Sequence, residues 1–347
     1  MQLSVIVPVY NVEKFLPRCL DSLLRQGMEV GEWEVICVND GSSDGSANIL
    51  AEYEAKYPDI FKVVTQENQG LGGARNVGTA MAQGEWIAYL DSDDYVVDGG
   101  YSYLLDHFCD DGQGGVKLDV LCFSFFSIYT DGVTLSDPDA KPDGEMLFEG
   151  DGVEAFNRWT QTNVWTKLYR RSFLQENHIE SEIIIAQDCL FNVDVFCHHP
   201  HTRVVSCRII RYENGNVNSI LKTSNKELVL IHLNDLYYNM KRVQRFLDQG
   251  NVEMSPAIYK MIDSFKGTYN KKLLNVCLTR DEWKRYTKIM DVSKMGNTVM
   301  KQDNSFVGKT LLKLKRMALH SYPEYRIVHF LHNNLFKRFI YPRIMAN

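Results

Sequence analysis

The chain of 347 residues has no apolar run approaching the ~18 to 20 residues that a membrane-crossing helix needs. Proline is scarce, with 9 residues, and the 23 glycines follow no repeat, which excludes a collagenous or Pro-rich low-complexity chain. None of the eight cysteines stands in a C-x-x-C pair, and several lie inside apolar runs. Reduced thiols in a cytoplasmic protein are therefore expected. The opening Met1-Gln2-Leu3-Ser4 has neither a basic stretch nor a small-residue cleavage site, so no secretory leader is expected. The histidines show no ligand spacing: His198, His199 and His201 flank a proline at i, i+1 and i+3, a poor geometry for converging on a metal.

What is present is ordinary globular composition, 45% hydrophobic and 24% charged, in a length that suits about two domains. The net charge of −6 is unevenly spread. Residues 301–347 hold nine Lys and Arg against two acids, a local +7 that leaves −13 on the first 300 residues. Within that tail Leu311 to Leu319 and Phe330 to Tyr341 mix bulky apolar and basic residues. Such a segment either binds an anionic lipid surface or packs on the acidic body of its own chain. The acidic body and the lack of a recognition motif speak against nucleic acid as a partner.

The first hundred residues alternate strand and helix signals. Leu3 to Val9 is a β-branched run, and Val12 to Leu24 carries one apolar helical face. Glu34 to Asn39 is a second strand, followed by a helix with Ile49, Leu50 and Tyr53; a third strand lies near Phe61 to Thr65; a Gly-rich segment from Asn68 to Gly84 opens a helix; Trp86 to Leu90 is a fourth strand. The series predicts an α/β fold with a mostly parallel sheet flanked by helices. Strands near Val116 to Tyr129 and Val204 to Tyr212 and a helix over Val153 to Thr162 follow. From about Asn225 the pattern is helical. The expected division is a nucleotide-binding domain over 1–222 and a C-terminal α-helical extension over 223–347.

In open α/β sheets ligands bind beyond the carboxyl ends of the strands, and every polar cluster falls at such an end. Asp91-Ser92-Asp93-Asp94 places three carboxylates in four residues after an apolar strand, a repulsion that Mg²⁺ or Mn²⁺ relieves. Taken alone it also reads as a solvated acidic turn. Pro8-Val9-Tyr10-Asn11 offers a ring and an amide to a base. Asn39-Asp40-Gly41-Ser42 offers a carboxylate to a ribose hydroxyl or base N–H, or forms an Asx turn with a helix cap. In Asn68-Gln69-Gly70-Leu71-Gly72-Gly73-Ala74-Arg75-Asn76 small residues permit close backbone approach and Arg75 supplies a charge for a diphosphate. Each cluster is ambiguous alone; four at four strand ends describe a nucleotide site.

These segments, Ser4 to Asn11, Val38 to Ser46, Asn68 to Gly78 and Gly84 to Asp94, resemble the family 2 glycosyltransferases, which share the nucleotide-sugar-binding GT-A fold. The resemblance is specific over residues 1 to about 100, scattered from 150 to 220 and absent beyond. It implies sugar transfer from a nucleotide donor, usually UDP-linked, to an acceptor hydroxyl with inversion. It also implies that Pro8, Val9, Tyr10, Asn11, Asp40, Asn68, Gly70, Arg75, Asp91 and Ser92 line the nucleotide-sugar site, and that Asp93, with Asp91, holds the metal.

Such a displacement needs a base for the acceptor proton. Asp188, in Ile183 to Phe191, is the candidate, with Glu180 and Glu182 as rivals and a helix cap as the structural alternative. Family members commonly carry a Glu-Asp pair here, whereas this chain has Gln187-Asp188. Trp165, in Asn163 to Arg171, is the candidate for stacking on an acceptor sugar, or else a core residue. Tyr212 to Ile220 resembles the family's closing loop, or is an ordered surface loop. The Gln-x-x-Arg-Trp signature of processive relatives is absent, so a non-processive hexosyltransferase of surface-polysaccharide synthesis is expected. It would act on a glycan or lipid-linked acceptor, cytoplasmic or peripheral on the inner membrane face. The rival readings are a non-catalytic nucleotide-sugar-binding module and a nucleotidyltransferase; the latter calls for a Gly-rich basic loop after the first strand, where this chain has Val9-Tyr10-Asn11-Val12.

Overall fold

Seven consecutive residues of β1 (Leu3–Val9) are buried, as expected of a strand covered by helices on both faces. In this computed structural model, which describes residues 1–109, 116–128, 142–183, 187–216, 225–289 and 321–331, β1 leads to α1 (Leu16–Leu23). That helix starts four residues later than its apolar pattern predicts. Val12 to Phe15 form a turn, with Phe15 N donating to Val12 O at 2.9 Å, and a proline occupies the first helical turn, where no N–H is needed. Then follow β2 (Trp33–Asn39), α2 (Ser46–Lys56), β3 (Phe61–Thr65), α3 (Gly70–Met81) and β4 (Trp86–Tyr89).

The order β3-β2-β1-β4 is parallel throughout. All four carboxyl ends therefore open on one edge, which gathers the four polar clusters there. Gly78 of α3 lies against Ile6 so closely that a Cβ would collide with it, which is how the helix reaches the sheet.

Beyond β4 come β5 (Tyr95–Val96), α4 (Gly100–Phe108), β6 (Val120–Ile128), β7 (Met146–Asp151) and α5 (Gly152–Trp159). A 3-10 turn (Val164–Thr166) leads to β8 (Lys167–Arg170), α6 (Arg171–Glu176), α7 (Gln187–Cys197) and β9 (His201–Glu213). The nine-stranded sheet continues β4-β8-β6-β9-β5, with β7 also on β9. Here β6 and β9 are parallel, while β8 runs antiparallel to β4 and β6, and β5 and β7 antiparallel to β9. Among the described strands six of nine run the same way, the mostly parallel sheet expected, and β5, β7 and β8 run against them. Strands as short as β5 and β8 carry too few residues for a period of two to show.

Two compact units divide the chain: Met1–Val217 with Gln249–Ala257, and Asn218–Asp248 with Ile258–Asn347. The boundary expected near residue 222 lies outside the described residues. The second unit holds α8 (Lys226–Asp248), most of α9 (Ser255–Asn275), α10 (Arg280–Ile289) and α11 (Tyr322–Leu331). In α8 the buried face is Val229, His232, Leu233, Leu236, Asn239, Met240 and Val243, a helical repeat. Of the basic tail only residues 321–331 are described. No helix among the described residues is long and apolar enough to cross a membrane.

Candidate active site

At the end of β1, Pro8 and Val9 are buried in the strand, while the ring of Tyr10 is 49% exposed. Asn11 has a positive φ of 50° and its Oδ1 accepts from Ser43 N at 2.8 Å, which ties the loop after β2 to the loop after β1. Asp40 N donates to Val9 O at 2.9 Å. The Asp40 carboxylate is nearly buried; its Oδ1 accepts from Gln66 Nε2 at 2.7 Å and from Gln69 N at 2.8 Å. Asn68 Oδ1 accepts from Gly70 N at 3.2 Å, and Gly70 opens α3 with a φ of +78° that favours glycine. Tyr10 thus offers the exposed ring expected of it, whereas Pro8 and Val9 contribute backbone.

The glycine-rich segment makes its closest approach to the chain itself. A Cβ on Gly72 would collide with the carbonyl oxygen of Glu182. One turn on, Asn76 Nδ2 donates to Ser181 O at 2.9 Å and Asn76 Oδ1 accepts from Ser181 N at 2.8 Å. Gly72 and Asn76 therefore seat residues 181–182 on α3, just ahead of Asp188 in the first turn of α7. Ile184, Ile185 and Ala186, between them, lie outside the described residues.

Arg75 joins the site's two halves. Its guanidinium is 1% exposed; Nη1 donates to Asp188 Oδ1 at 2.5 Å and Nη2 to Asp91 Oδ1 at 2.7 Å. Asp188 keeps its second oxygen nearly open, with Val164 N at 3.4 Å, and its side chain is 22% exposed. A carboxylate with one oxygen pinned and the other accessible is the arrangement a general base requires. Of its rivals, Glu180 is exposed and Glu182 half-buried. The Arg75 charge expected at a diphosphate lies between Asp91 and Asp188.

The acidic turn after β4 is held by groups that its own sequence does not announce. Arg18, buried in α1, donates through Nη2 to Asp93 O at 3.0 Å and pairs with the buried Glu213 at 3.1 Å. Glu213 N donates to Asp94 Oδ1 at 2.8 Å, and Asn216 Nδ2 to Asp93 Oδ2 at 2.8 Å. The end of β9 thus clasps the turn. Residues 217–220 of the expected closing loop lie outside the described residues. Burial pushes the carboxyls of Asp91, Asp93 and Asp94 upward; Asp188 and Asp93 add to the rise at Asp91, and Arg75 opposes it. Crowded, partly desolvated negative charge of this kind favours a cation. Asp94 is fully buried, its Oδ1 occupied and its Oδ2 without a partner among the described residues, so Asp91 and Asp93 are the two accessible carboxylates of the turn. Two suit Mg²⁺ or Mn²⁺, which take one or two carboxylates and complete their shell with phosphate and water. Ser92, at 8% exposure, sits inside the turn.

Trp165 is 5% exposed. Its indole stacks on Tyr212 at 5.3 Å and 4° and meets Phe125 edge-on at 4.8 Å. One face expected for an acceptor sugar is covered, and the partly exposed Tyr212 is the outer plate of the pair. Lys167 is fully buried and donates to the carbonyls of Gln161 at 3.0 Å and Asn163 at 2.7 Å; burial lowers its pKa to about 8. Among the described residues the only three His, Cys, Asp or Glu side chains whose ligand atoms gather within 4.8 Å are Asp194, Cys197 and His198. They sit at the far end of α7 from Asp188, and the Cys197 thiol, pushed up to about 12 by burial and Asp194, is a poor ligand.

The chain resembles known proteins over most of its length. The model of the family "Glycosyl transferase family 2" matches residues 4–133. The chain is 32% identical over 240 residues to the uncharacterized glycosyltransferase EpsJ of Bacillus subtilis (strain 168), covering 67% of each chain. It is 29% identical over 348 residues to the putative glycosyltransferase EpsH of the same strain, covering 94% of this chain and 93% of EpsH. Among solved structures, Staphylococcus aureus TarS 1–349 in complex with UDP-GlcNAc aligns with a TM-score of 0.56 at 20% identity, over 96% of this chain and 92% of that one. TarS is a poly(ribitol-phosphate) beta-N-acetylglucosaminyltransferase. The sheet whose carboxyl edge gathers these four clusters is thus that of a GT-A fold, and the chain belongs to glycosyl transferase family 2.

Proposed function

We propose that this protein moves a sugar from a UDP-linked donor to a hydroxyl of a glycan or lipid-linked acceptor, with inversion, one sugar at a time, using Mn²⁺ or Mg²⁺ held by Asp91 and Asp93. The observation that carries the reading is the buried Arg75 bridging Asp91 and Asp188, which holds together two carboxylates suited to a metal and to a base. The binding of UDP-GlcNAc by the TarS fragment supports a nucleotide-sugar donor, and the exposed Tyr10 ring with Asp40 beside it supports a base subsite.

Each side chain has a task in a single displacement. Tyr10 stacks on the base, and Asp40 accepts from its N–H. The acceptor oxygen attacks the anomeric carbon while the bond from that carbon to the diphosphate oxygen breaks, so configuration inverts. The acceptor proton passes to Asp188 Oδ2, the oxygen that Arg75 leaves open. Arg75 keeps Asp188 oriented without itself facing water. Tyr212, backed by Trp165, walls the acceptor side. When bound, the cation supplies Lewis-acid neutralisation of the departing diphosphate.

UDP with Mn²⁺ raises the melting temperature of the wild type and not of Asp93→Ala, because a ligand that binds only the folded state stabilises it. Asp188→Asn keeps that shift and loses transfer by roughly 10² to 10⁴-fold, the worth of a general base. An equal shift in Asp93→Ala removes the metal reading; near-normal turnover in Asp188→Asn removes the base.

A further inference from the structure

The ends of β2 and β3 meet at Asp40. Gln66 N donates to Asn39 O at 3.0 Å, carrying the β2–β3 ladder one residue past β3 and delivering the Gln66 side chain beside Asp40. There its Nε2 donates to Asp40 Oδ1 at 2.7 Å, and the backbone N–H of Gln69 reaches the same oxygen at 2.8 Å. The orientation of the amide follows from the charge: a reversed amide would put Oε1 against a carboxylate. Gln66 Oε1 is shut off from solvent and, among the described residues, has no hydrogen-bond partner.

A carboxylate oxygen has about two lone-pair directions. Oδ1 of Asp40 is therefore filled, and among the described residues Oδ2 has no donor. The side chain offers a base one acceptor rather than two. Bases differ in just this respect. The pairing edge of uracil carries a single N–H, at N3, between two carbonyl oxygens. Guanine carries N1–H and an N2 amino N–H side by side, and these call for both oxygens of a carboxylate.

We propose that Gln66 is a base-specificity residue, which by occupying Asp40 Oδ1 leaves a single acceptor and so selects a uracil over a guanine nucleotide. The inference rests on the nucleotide reading of this edge and adds the residue that makes the choice. Guanine at this site leaves one N–H without an acceptor, which discriminates by roughly tenfold or more. Replacing Gln66 by Met, of similar length but with no N–H, releases one lone pair of Oδ1 while Gln69 N keeps the other, so that each Asp40 oxygen can accept one N–H.

Isothermal titration of the full chain with UDP and with GDP, each with Mn²⁺, tests this. In the wild type UDP binds tighter than GDP by about tenfold or more. In Gln66→Met, and in Gln66→Leu as a second variant, that ratio falls by about tenfold, chiefly through tighter GDP binding. The ratio is taken within one preparation, so it does not depend on the folded fraction. A ratio unchanged in both variants, or GDP equal to UDP in the wild type, overturns the role of Gln66. If neither nucleotide binds the wild type, the nucleotide reading itself falls, and this inference with it.

Discussion

One guanidinium, that of Arg75, carries the charge balance of the site. Its removal leaves Asp91 and Asp188 facing each other without a counter-charge. Breaking a fully buried pair costs about 3 to 5 kcal/mol. With side-chain exposures of 25% and 22% for the two carboxylates, screening brings the expected cost of Arg75→Ala to about 1 to 3 kcal/mol. A lysine keeps the charge but not the fork that serves two carboxylates at once. Arg75→Lys should therefore recover most of the melting temperature of the wild type and little of its kcat. A lysine variant with wild-type kcat would show that the two-handed geometry is irrelevant. The sequence marks Arg75 as a functional cation, yet its partners lie 16 and 113 positions away. No local pattern contains them. The same holds for Arg18 and Glu213, 195 positions apart, and for Asn216 on Asp93.

Helix α3 works by what it lacks. Gly72 lets the carbonyl of Glu182 rest on the helix, and a methyl there must push the segment toward α7 and Asp188 away. Gly72→Ala should lower kcat by about tenfold or more, as a base displaced by about 1 Å does, while UDP binding at Tyr10 and Asp40 stays close to wild type. Equal loss of both would mean that the helix itself has been disrupted. In the helical unit, α8 and α9 share a buried contact in which Lys272 Nζ donates to His232 Nδ1 at 2.9 Å, so the imidazole is neutral. Burial first, and Lys272 second, depress the His232 pKa from 6.5 to about 4. The unfolded chain binds the extra proton between those values, so stability is complete above about pH 6.5 and is lost as pH falls toward 4. Melting temperatures followed from pH 7 to pH 4 should decline through this window, and His232→Gln should flatten the decline. An identical decline in the variant assigns it to other groups. The apolar periods of α1, α2 and α8 are legible in the sequence because each helix buries one face. The strands β5 and β8 are not legible, since a short strand is defined by its neighbours in the sheet.

Over the whole molecule the net charge of −6 conceals the +7 of residues 301–347. If that tail seats the protein on anionic lipid, the full chain floats with anionic liposomes and a chain ending at residue 300 does not, with the difference shrinking as salt is raised. Flotation unchanged by the truncation would leave the tail without a lipid role. The sequence alone determined the parallel half of the sheet, because its strands and helices repeat in order and each has its own period. It also determined that four polar clusters stand at strand ends, because each follows its strand directly in the chain. Only the tertiary structure decided which of those groups touch. Arg75 between Asp91 and Asp188, the β9 clasp on the acidic turn, and Gln66 on Asp40 are contacts between residues far apart in the chain. Ion pairs and hydrogen bonds depend on distance and direction in space, which the local pattern of a sequence does not encode.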